Sequence, residues 1–474
     1  MKIITNYEKF YNEIYNVCHL FYPDEKLNDE EPVITHKMTI NKNLITNDYT
    51  IKNKDDIFSL CEQKVLKQTN DTLEDRRQLK RFAKLTLYKL FSTHFNKNMP
   101  WGSLTGIRPT KIGYDLIKQG VDPYMLTEAL MENFLVSREK AMLVSSVIRN
   151  QKCIIRNDKL IDLYINIPFC PTRCNYCSFI SSEIDKVRDL MPKYLECLIK
   201  EINATKEIIN DCAYIVRTIY IGGGTPTVLS ANELDLLLGN INYPVNEFTV
   251  ECGRPDTITE DKLKVLKEHN VTRISINPQT FCDATLKRIG RKHTVKDVIE
   301  AYKIALKYDF NVNMDLIAGL TGEPFRTFKK SIQTVLELAP DNITVHTLSK
   351  KNGSIVTINN EENTNDVEIE EMITYSTTTL QQNGYKPYYL YRQKNQLAEQ
   401  ENVGYFREKP CIFNIDSMEE TTSILACGAN AISKRVYSID NRIERLANVK
   451  DIREYINKID ELIAKKRELF CRKN

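Results

Sequence analysis

The sequence predicts an α/β protein: a partial parallel barrel of six β/α units, preceded by an α+β domain and followed by an α+β extension. Three observations predict it. Between Leu160 and about Ser354, short β-rich runs alternate with stretches of helical periodicity; the strand candidates are Ile161–Ile167, Val216–Ile221, Glu247–Cys252, Val271–Ile276, Asn311–Ile317 and Asn342–Leu348. The intervening stretches Leu190–Ile209, Ser230–Leu238, Thr259–His269, Thr294–Tyr308 and Pro324–Leu338 supply the crossovers that parallel strands require. At 474 residues the chain is about three times a typical domain, which leaves room for flanking domains.

Helix starts are written locally. Ser230 with Glu233, and more weakly Thr294 with Asp297, have capping-box spacing. In such a barrel the chemistry gathers at the C-terminal ends of the strands.

Residues 1–155 lack the β/α rhythm and form the N-terminal α+β domain. Val33–Asn43 and Leu44–Lys52 predict short strands, and Asp75–Phe95 and Tyr124–Arg149 predict helices. Between the helices lies Pro100–Pro109, a Gly/Pro-punctuated loop with the chain's one tryptophan, Trp101. The barrel spans 156–355. Residues 356–474, the extension expected to cover a substrate, open with a polar linker, Asn359–Asp366. A helix from Val367 to Gln382 and a strand Lys386–Tyr391 follow, and the charged tail Val449–Arg472 predicts a helix with a solvated face.

Composition narrows the class. Apolar residues are 42% and charged residues 27%, the balance of a globular chain with a large core. Sixty-six basic against 63 acidic residues leave a net charge of +3, which excludes a strongly polycationic nucleic-acid binder and leaves local patches open. No apolar run approaches the roughly 18 residues of a membrane span, and a cytoplasmic protein is expected. The 13 cysteines are an odd number and mostly far apart, so most are expected to be reduced core thiols.

Three are different. Cys170, Cys174 and Cys177 follow the first barrel strand within eight residues, a spacing that wraps a short loop around a soft metal centre. Zinc usually takes four ligands, and no nearby Cys or His completes a tetrahedron. Three thiolates suit a [4Fe–4S] cluster with one iron open to another ligand.

This Cys-x3-Cys-x2-Cys loop resembles that of the radical S-adenosylmethionine (SAM) superfamily, and residues 100–440 resemble the oxygen-independent coproporphyrinogen III oxidase family, most closely its Z-type branch. The resemblance implies a [4Fe–4S] cluster on Cys170, Cys174 and Cys177, with SAM chelating the open iron. One electron from the reduced cluster then cleaves the sulfonium and yields a 5′-deoxyadenosyl radical. It also implies a tetrapyrrole substrate and a small reductant protein of the flavodoxin or ferredoxin type.

The other strand ends fall in order. Gly222–Thr227 contains three successive glycines that let backbone approach a ligand. A tight turn explains such a run equally well, but its place resembles the segment that holds the SAM amino group, assigning Gly223, Gly224 and Thr225. Glu251, at the third strand end, can pair with the cationic amino group of SAM, as the family's equivalent glutamate does. Asp256 fits a helix cap, and Arg254 offers a fork for a substrate propionate or a surface salt bridge. Gln279 and Arg291 match family positions at SAM. Asp315 can accept the ribose hydroxyls, a role favoured over burial without a donor. His346 is a substrate-contact candidate, although a lone histidine is more often simply hydrogen-bonded in place. Tyr164 and Tyr176 are assigned around the cluster and adenine by resemblance alone.

The pattern departs at two places. Phe179 stands where the decarboxylases carry another cysteine, and Asn166 where they usually carry histidine; Phe179 is similar to haem-chaperone relatives. On the other side, the Trp101–Lys111 loop with Arg108 and Lys111, the segment Tyr388–Lys394 with Arg392, and Glu401–Tyr405 resemble the Z-type branch. Rings with interleaved cations suit a flat macrocycle bearing carboxylates; an ordinary domain seam explains the first loop equally well. The resemblance therefore implies oxidative decarboxylation of coproporphyrinogen III to protoporphyrinogen IX, with a haem carrier or a radical SAM enzyme on another tetrapyrrole as the alternatives.

Overall fold

The computed structural model describes residues 1–23, 30–54, 56–66, 72–106, 108–177, 182–349, 365–393, 397–438 and 442–472. Phe179, Lys394 and most of the Asn359–Asp366 linker lie outside the described residues. The chain divides into two compact units, Met1–Ser145 and Ser146–Asn474.

In the first unit, strand Lys2–Thr5 pairs in parallel with Val33–Asn41, which continues as an antiparallel meander through Leu44–Asn53 and Asp56–Val65. Helices Tyr11–Phe21 and Thr72–His94 contribute Ile14, Val17, Leu87 and Phe91 to a core shared with Ile34, Ile45 and Tyr49 of the sheet. The predicted Tyr124–Arg149 helix is broken: Leu126–Phe134 ends at Leu135 in the left-handed conformation, and Arg138–Asn150 follows. The helix Pro109–Lys118 has proline at its first position, where a missing N–H costs nothing.

The second unit is built on an eleven-stranded sheet. Its middle holds six adjacent parallel strands in chain order: Leu160–Ile167, Ile215–Gly223, Glu247–Glu251, Arg273–Ser275, Asn311–Ala318 and Asn342–Thr347. Crossover helices Met191–Asp211, Ala231–Leu238, Glu260–Glu268, Val295–Leu306 and Phe325–Leu338 separate them. Ser230 with Glu233 and Thr294 with Asp297 form complete capping boxes.

The C-terminal residues extend this same sheet at both edges. Asn402–Phe406 and Lys386–Tyr391 add antiparallel strands beyond Asn342–Thr347. Ser423–Cys427 pairs in parallel with Leu160–Ile167 and carries Ile432–Tyr437 and Arg442–Ala447 outward. The charged tail corrects the sequence reading. Helix Ile459–Cys471 buries Ile459, Leu462, Lys466 and Phe470, and Lys466 pairs with the buried Glu201 of helix Met191–Asp211. Charge pattern alone marked that face as solvated; the buried partner lies 265 positions away in sequence. All 13 cysteines are free thiols, and no helix among the described residues is long and apolar enough to cross a membrane.

Candidate functional site

A cavity of about 400 Å³ opens at the C-terminal ends of the six parallel strands. Its wall includes Cys170, Cys174 and Cys177, the turn Gly223–Thr225, Tyr164, Tyr176, Glu251, Arg254, Gln279, Arg291, Asp315 and His346. Strand alternation explains much of this convergence: residues two apart, such as Asn313 and Asp315, point to one face of the sheet.

The cysteine loop is tied down by backbone and side-chain bonds. The Asn175 N–H donates to the Ile289 carbonyl at 3.0 Å, and its amide donates to the Arg288 carbonyl at 2.9 Å. The Thr225 N–H reaches the Phe169 carbonyl at 2.7 Å, and its hydroxyl approaches the Cys170 sulfur at 3.5 Å. Glycine is required in the neighbouring turn. A Cβ on Gly224 would lie 2.3 Å from the Phe169 carbonyl oxygen, and Gly223 has φ of +106°. The turn is thus pressed against the loop, with its backbone toward the cavity.

Two arginines flank Cys174. Arg254 makes a bidentate pair with Asp256, at 2.9 and 2.8 Å, while its other nitrogen donates to the Thr172 hydroxyl at 3.0 Å and lies 3.8 Å from the Cys174 sulfur. Only 3% of Arg254 is exposed. The structure thus corrects the expectation of a fork presented to a substrate propionate: that fork is filled by Asp256 and grips the cysteine loop. Asp256 is not a helix cap, since Thr259 caps Glu260–Glu268. Burial alone would raise its carboxyl, but His293 and Arg254 hold it well below the usual range. Arg291 donates to the carbonyls of Asn277 at 2.6 Å and Gly253 at 3.2 Å and to the Tyr176 hydroxyl at 3.0 Å.

The two cavity carboxylates are driven apart in proton affinity. Enclosure and the neighbouring Asp315 charge push Glu251 up to about 7, against a hydrogen bond donated by the Tyr220 hydroxyl. Burial also acts to raise Asp315, but His346 (3.6 Å), the Asn313 amide (2.8 Å) and Thr344 hold it below the ordinary carboxylate value. Asp315 is therefore anionic, while Glu251 is poised between its two states.

Gln279 has left-handed φ of +67°, sparsely populated for a non-glycine residue, and its buried side-chain Oε1 has no hydrogen-bond partner. The Asn277 side-chain oxygen is likewise buried without one. Orphaned acceptors, a glycine turn that excludes Cβ atoms and three free thiols on one wall are the chemistry that a cluster and a polar cationic cofactor would satisfy. Among the described residues, no three His, Cys, Asp or Glu side chains are grouped closely enough to hold a single metal ion.

Arg392 is the predicted contact that the fold does not bring to the cavity. Tyr389, Tyr391 and Gln393 line it, while Arg392 is turned to Glu399 at 2.6 Å. Sequence reasoning missed Tyr220, Asn277, Asn313 and Thr344, which line the cavity or hold its carboxylates. Polar residues recurring every second position near strand ends, as Asn313 and Asp315 do, were the available signal.

A model of the radical SAM superfamily matches residues 164–335. The chain is 36% identical to the oxygen-independent coproporphyrinogen-III oxidase-like protein HemZ of Bacillus subtilis (strain 168), over 94% of this chain and 93% of that protein. Over 39% of this chain and 49% of that protein, it is 38% identical to the heme chaperone HemW of the same organism. The structure of coproporphyrinogen III oxidase HemN from Escherichia coli aligns with a TM-score of 0.51 and 21% identity over 68% of this chain and 72% of that one, a likeness of fold.

Proposed function

The chain belongs to the radical SAM superfamily and, within it, to the HemN/HemZ family, and from that premise we propose that it is an oxidative decarboxylase of coproporphyrinogen III. The observation that carries this reading is the single cavity that collects the three-cysteine loop, the polar strand ends and the aromatic edge Tyr389 and Tyr391. A [4Fe–4S] cluster with SAM supplies one-electron cleavage of a sulfonium and a radical able to take hydrogen from an unactivated carbon.

The residues of this chain bind and orient. Cys170, Cys174 and Cys177 hold the cluster. Backbone groups of Gly223, Gly224 and Thr225 and the Glu251 carboxylate receive the SAM amino group. Asp315, kept anionic by His346 and Asn313, accepts hydrogen bonds from the ribose hydroxyls, and Gln279 and Asn277 line the same cavity. Arg254 and Arg291 position the loop and place positive charge beside a cluster thiolate.

Arg254 and Arg392 are both paired, and a propionate in the cavity would meet His346, Gln393, Asn402 and Asn414 beside Tyr389 and Tyr391. At each of two propionates the side chain loses a hydrogen atom, carbon dioxide and one electron and becomes a vinyl group. A small flavodoxin- or ferredoxin-type protein supplies the reducing electron, and a separate acceptor takes the released one.

A second reading, a haem carrier, is favoured by the 38% identity of the barrel region to a heme chaperone. The test is anaerobic turnover with reductant, SAM and coproporphyrinogen III. Decarboxylation requires 5′-deoxyadenosine together with monovinyl and divinyl products. Stoichiometric haem retention without product supports the carrier, and deoxyadenosine without vinyl product points to another tetrapyrrole.

A further inference from the structure

A second cavity, of about 430 Å³, lies wholly within the first unit, along helix Thr72–His94 and the start of helix Pro109–Lys118. We propose that it is a binding site for a phosphorylated small molecule of nucleotide size. The radical chemistry proposed above makes no use of it.

Charge is the first observation. Arg77, Lys80, Arg81, Lys84, Arg108 and Lys111 line the cavity, against only two carboxylates, Glu13 and Asp115. Lys80 pairs with Glu13, Arg77 pairs with Glu74 at 3.4 Å, and Arg81 pairs with Asp115 at 3.1 Å and with Glu74 at 3.2 Å. These pairs fix the positions of the side chains, and the six lining cations meet three carboxylates, Glu13, Glu74 and Asp115. Guanidinium forks and ammonium groups gathered in one concavity match the multiple charge and planar oxygen pairs of phosphate.

The second observation is the helix start. Gly106, Arg108, Pro109, Lys111 and Ile112 bring the first turn of Pro109–Lys118 to the cavity wall. The residue in the capping position, Arg108, makes no side-chain capping bond, and Pro109 at the first helical position fits this open end. The macrodipole therefore adds positive potential where the cations already gather.

The third observation is an apolar floor. Leu104, Ile112 and Phe134 line the same cavity, so the ligand carries an organic body as well as its anion. The volume falls within the roughly 300–1,000 Å³ of small-molecule pockets. A macrocycle is disfavoured here. Trp101, the ring expected to stack on it, is 1% exposed and absent from the wall, and none of the lining residues is a His, Cys, Met or Tyr able to ligate haem iron.

The experiment titrates the full-length chain with a fluorescent ADP and follows its anisotropy at low and at physiological salt. ADP and inorganic pyrophosphate should displace the probe, and adenosine and coproporphyrin should not. Lys111→Gln and Arg108→Gln should each weaken ADP binding by about tenfold while the chain still unfolds cooperatively, and Arg108→Lys should recover part of the loss. Loss of binding in Cys174→Ala would place the ADP at the cluster site and overturn the proposal. So would the absence of displaceable binding at millimolar ADP, equal competition by adenosine or coproporphyrin, or binding confined to RNA.

Discussion

The Lys466 Nζ lies 2.7 Å from the Glu201 Oε1, and both side chains are essentially shielded from solvent. Glu201 also accepts from the Gly428 N–H at 2.7 Å, the Tyr455 hydroxyl at 2.6 Å and the Asn448 amide at 2.8 Å. One carboxylate thus ties the C-terminal helix, the helix Met191–Asp211 and the turn after strand Ser423–Cys427 together. Nearby, the Tyr194 hydroxyl donates to the Asn166 carbonyl, and the Asn166 side chain accepts from Tyr164 at the cavity wall.

Removing one partner of such a pair strands the other. Lys466→Met should cost about 3–5 kcal/mol, read as a lower midpoint in urea unfolding. A loss below about 1 kcal/mol would show that the carboxylate is satisfied by its neutral donors alone.

SAM affinity should depend on pH through Glu251. Its carboxyl is pushed up to about 7, so the anionic form that receives the amino group is lost as pH falls below that value. Calorimetric affinity should rise between pH 6 and 7 and level off above, by up to about tenfold per pH unit. Glu251→Gln should flatten the profile.

Arg254 is expected to govern cluster retention and not substrate affinity. Arg254→Lys keeps the charge but cannot bridge Asp256 and Thr172 with one planar fork. Iron and sulfide per chain should fall on anaerobic reconstitution, while tetrapyrrole affinity stays within about twofold of the original.

Gly224→Ala forces a methyl against the Phe169 carbonyl, and backbone must move. Such overpacking costs about 1–3 kcal/mol, and the displaced turn should weaken SAM binding more than it lowers stability. Isothermal titration beside thermal unfolding separates the two effects.

The strands of the barrel were legible because each is a short β-rich run between capped helices. Asn311–Ala318 and Asn342–Thr347 match their predicted ranges to within one residue. Ser423–Cys427 was not legible: five residues buried on both faces carry no alternation that separates strand from helix. In the site, residue type and order brought Glu251 and Asp315 to one cavity, but neither reveals which partner an arginine takes. Arg254 finds Asp256 only two residues away, and Arg392 finds Glu399 seven away. Both pairings depend on the local turn of the backbone, which composition does not encode. The charged tail misled for a similar reason, since the carboxylate that makes Lys466 a buried residue belongs to a distant helix.

Three thiolates on a cubane would leave one iron for SAM to chelate, and electron paramagnetic resonance of the reduced, anaerobically reconstituted protein, with and without SAM, reads that open site. A [4Fe–4S]⁺ signal should shift on adding SAM and be lost on replacing Cys170, Cys174 or Cys177 with alanine. A signal indifferent to SAM, or one that survives each of the three replacements, would contradict that open site.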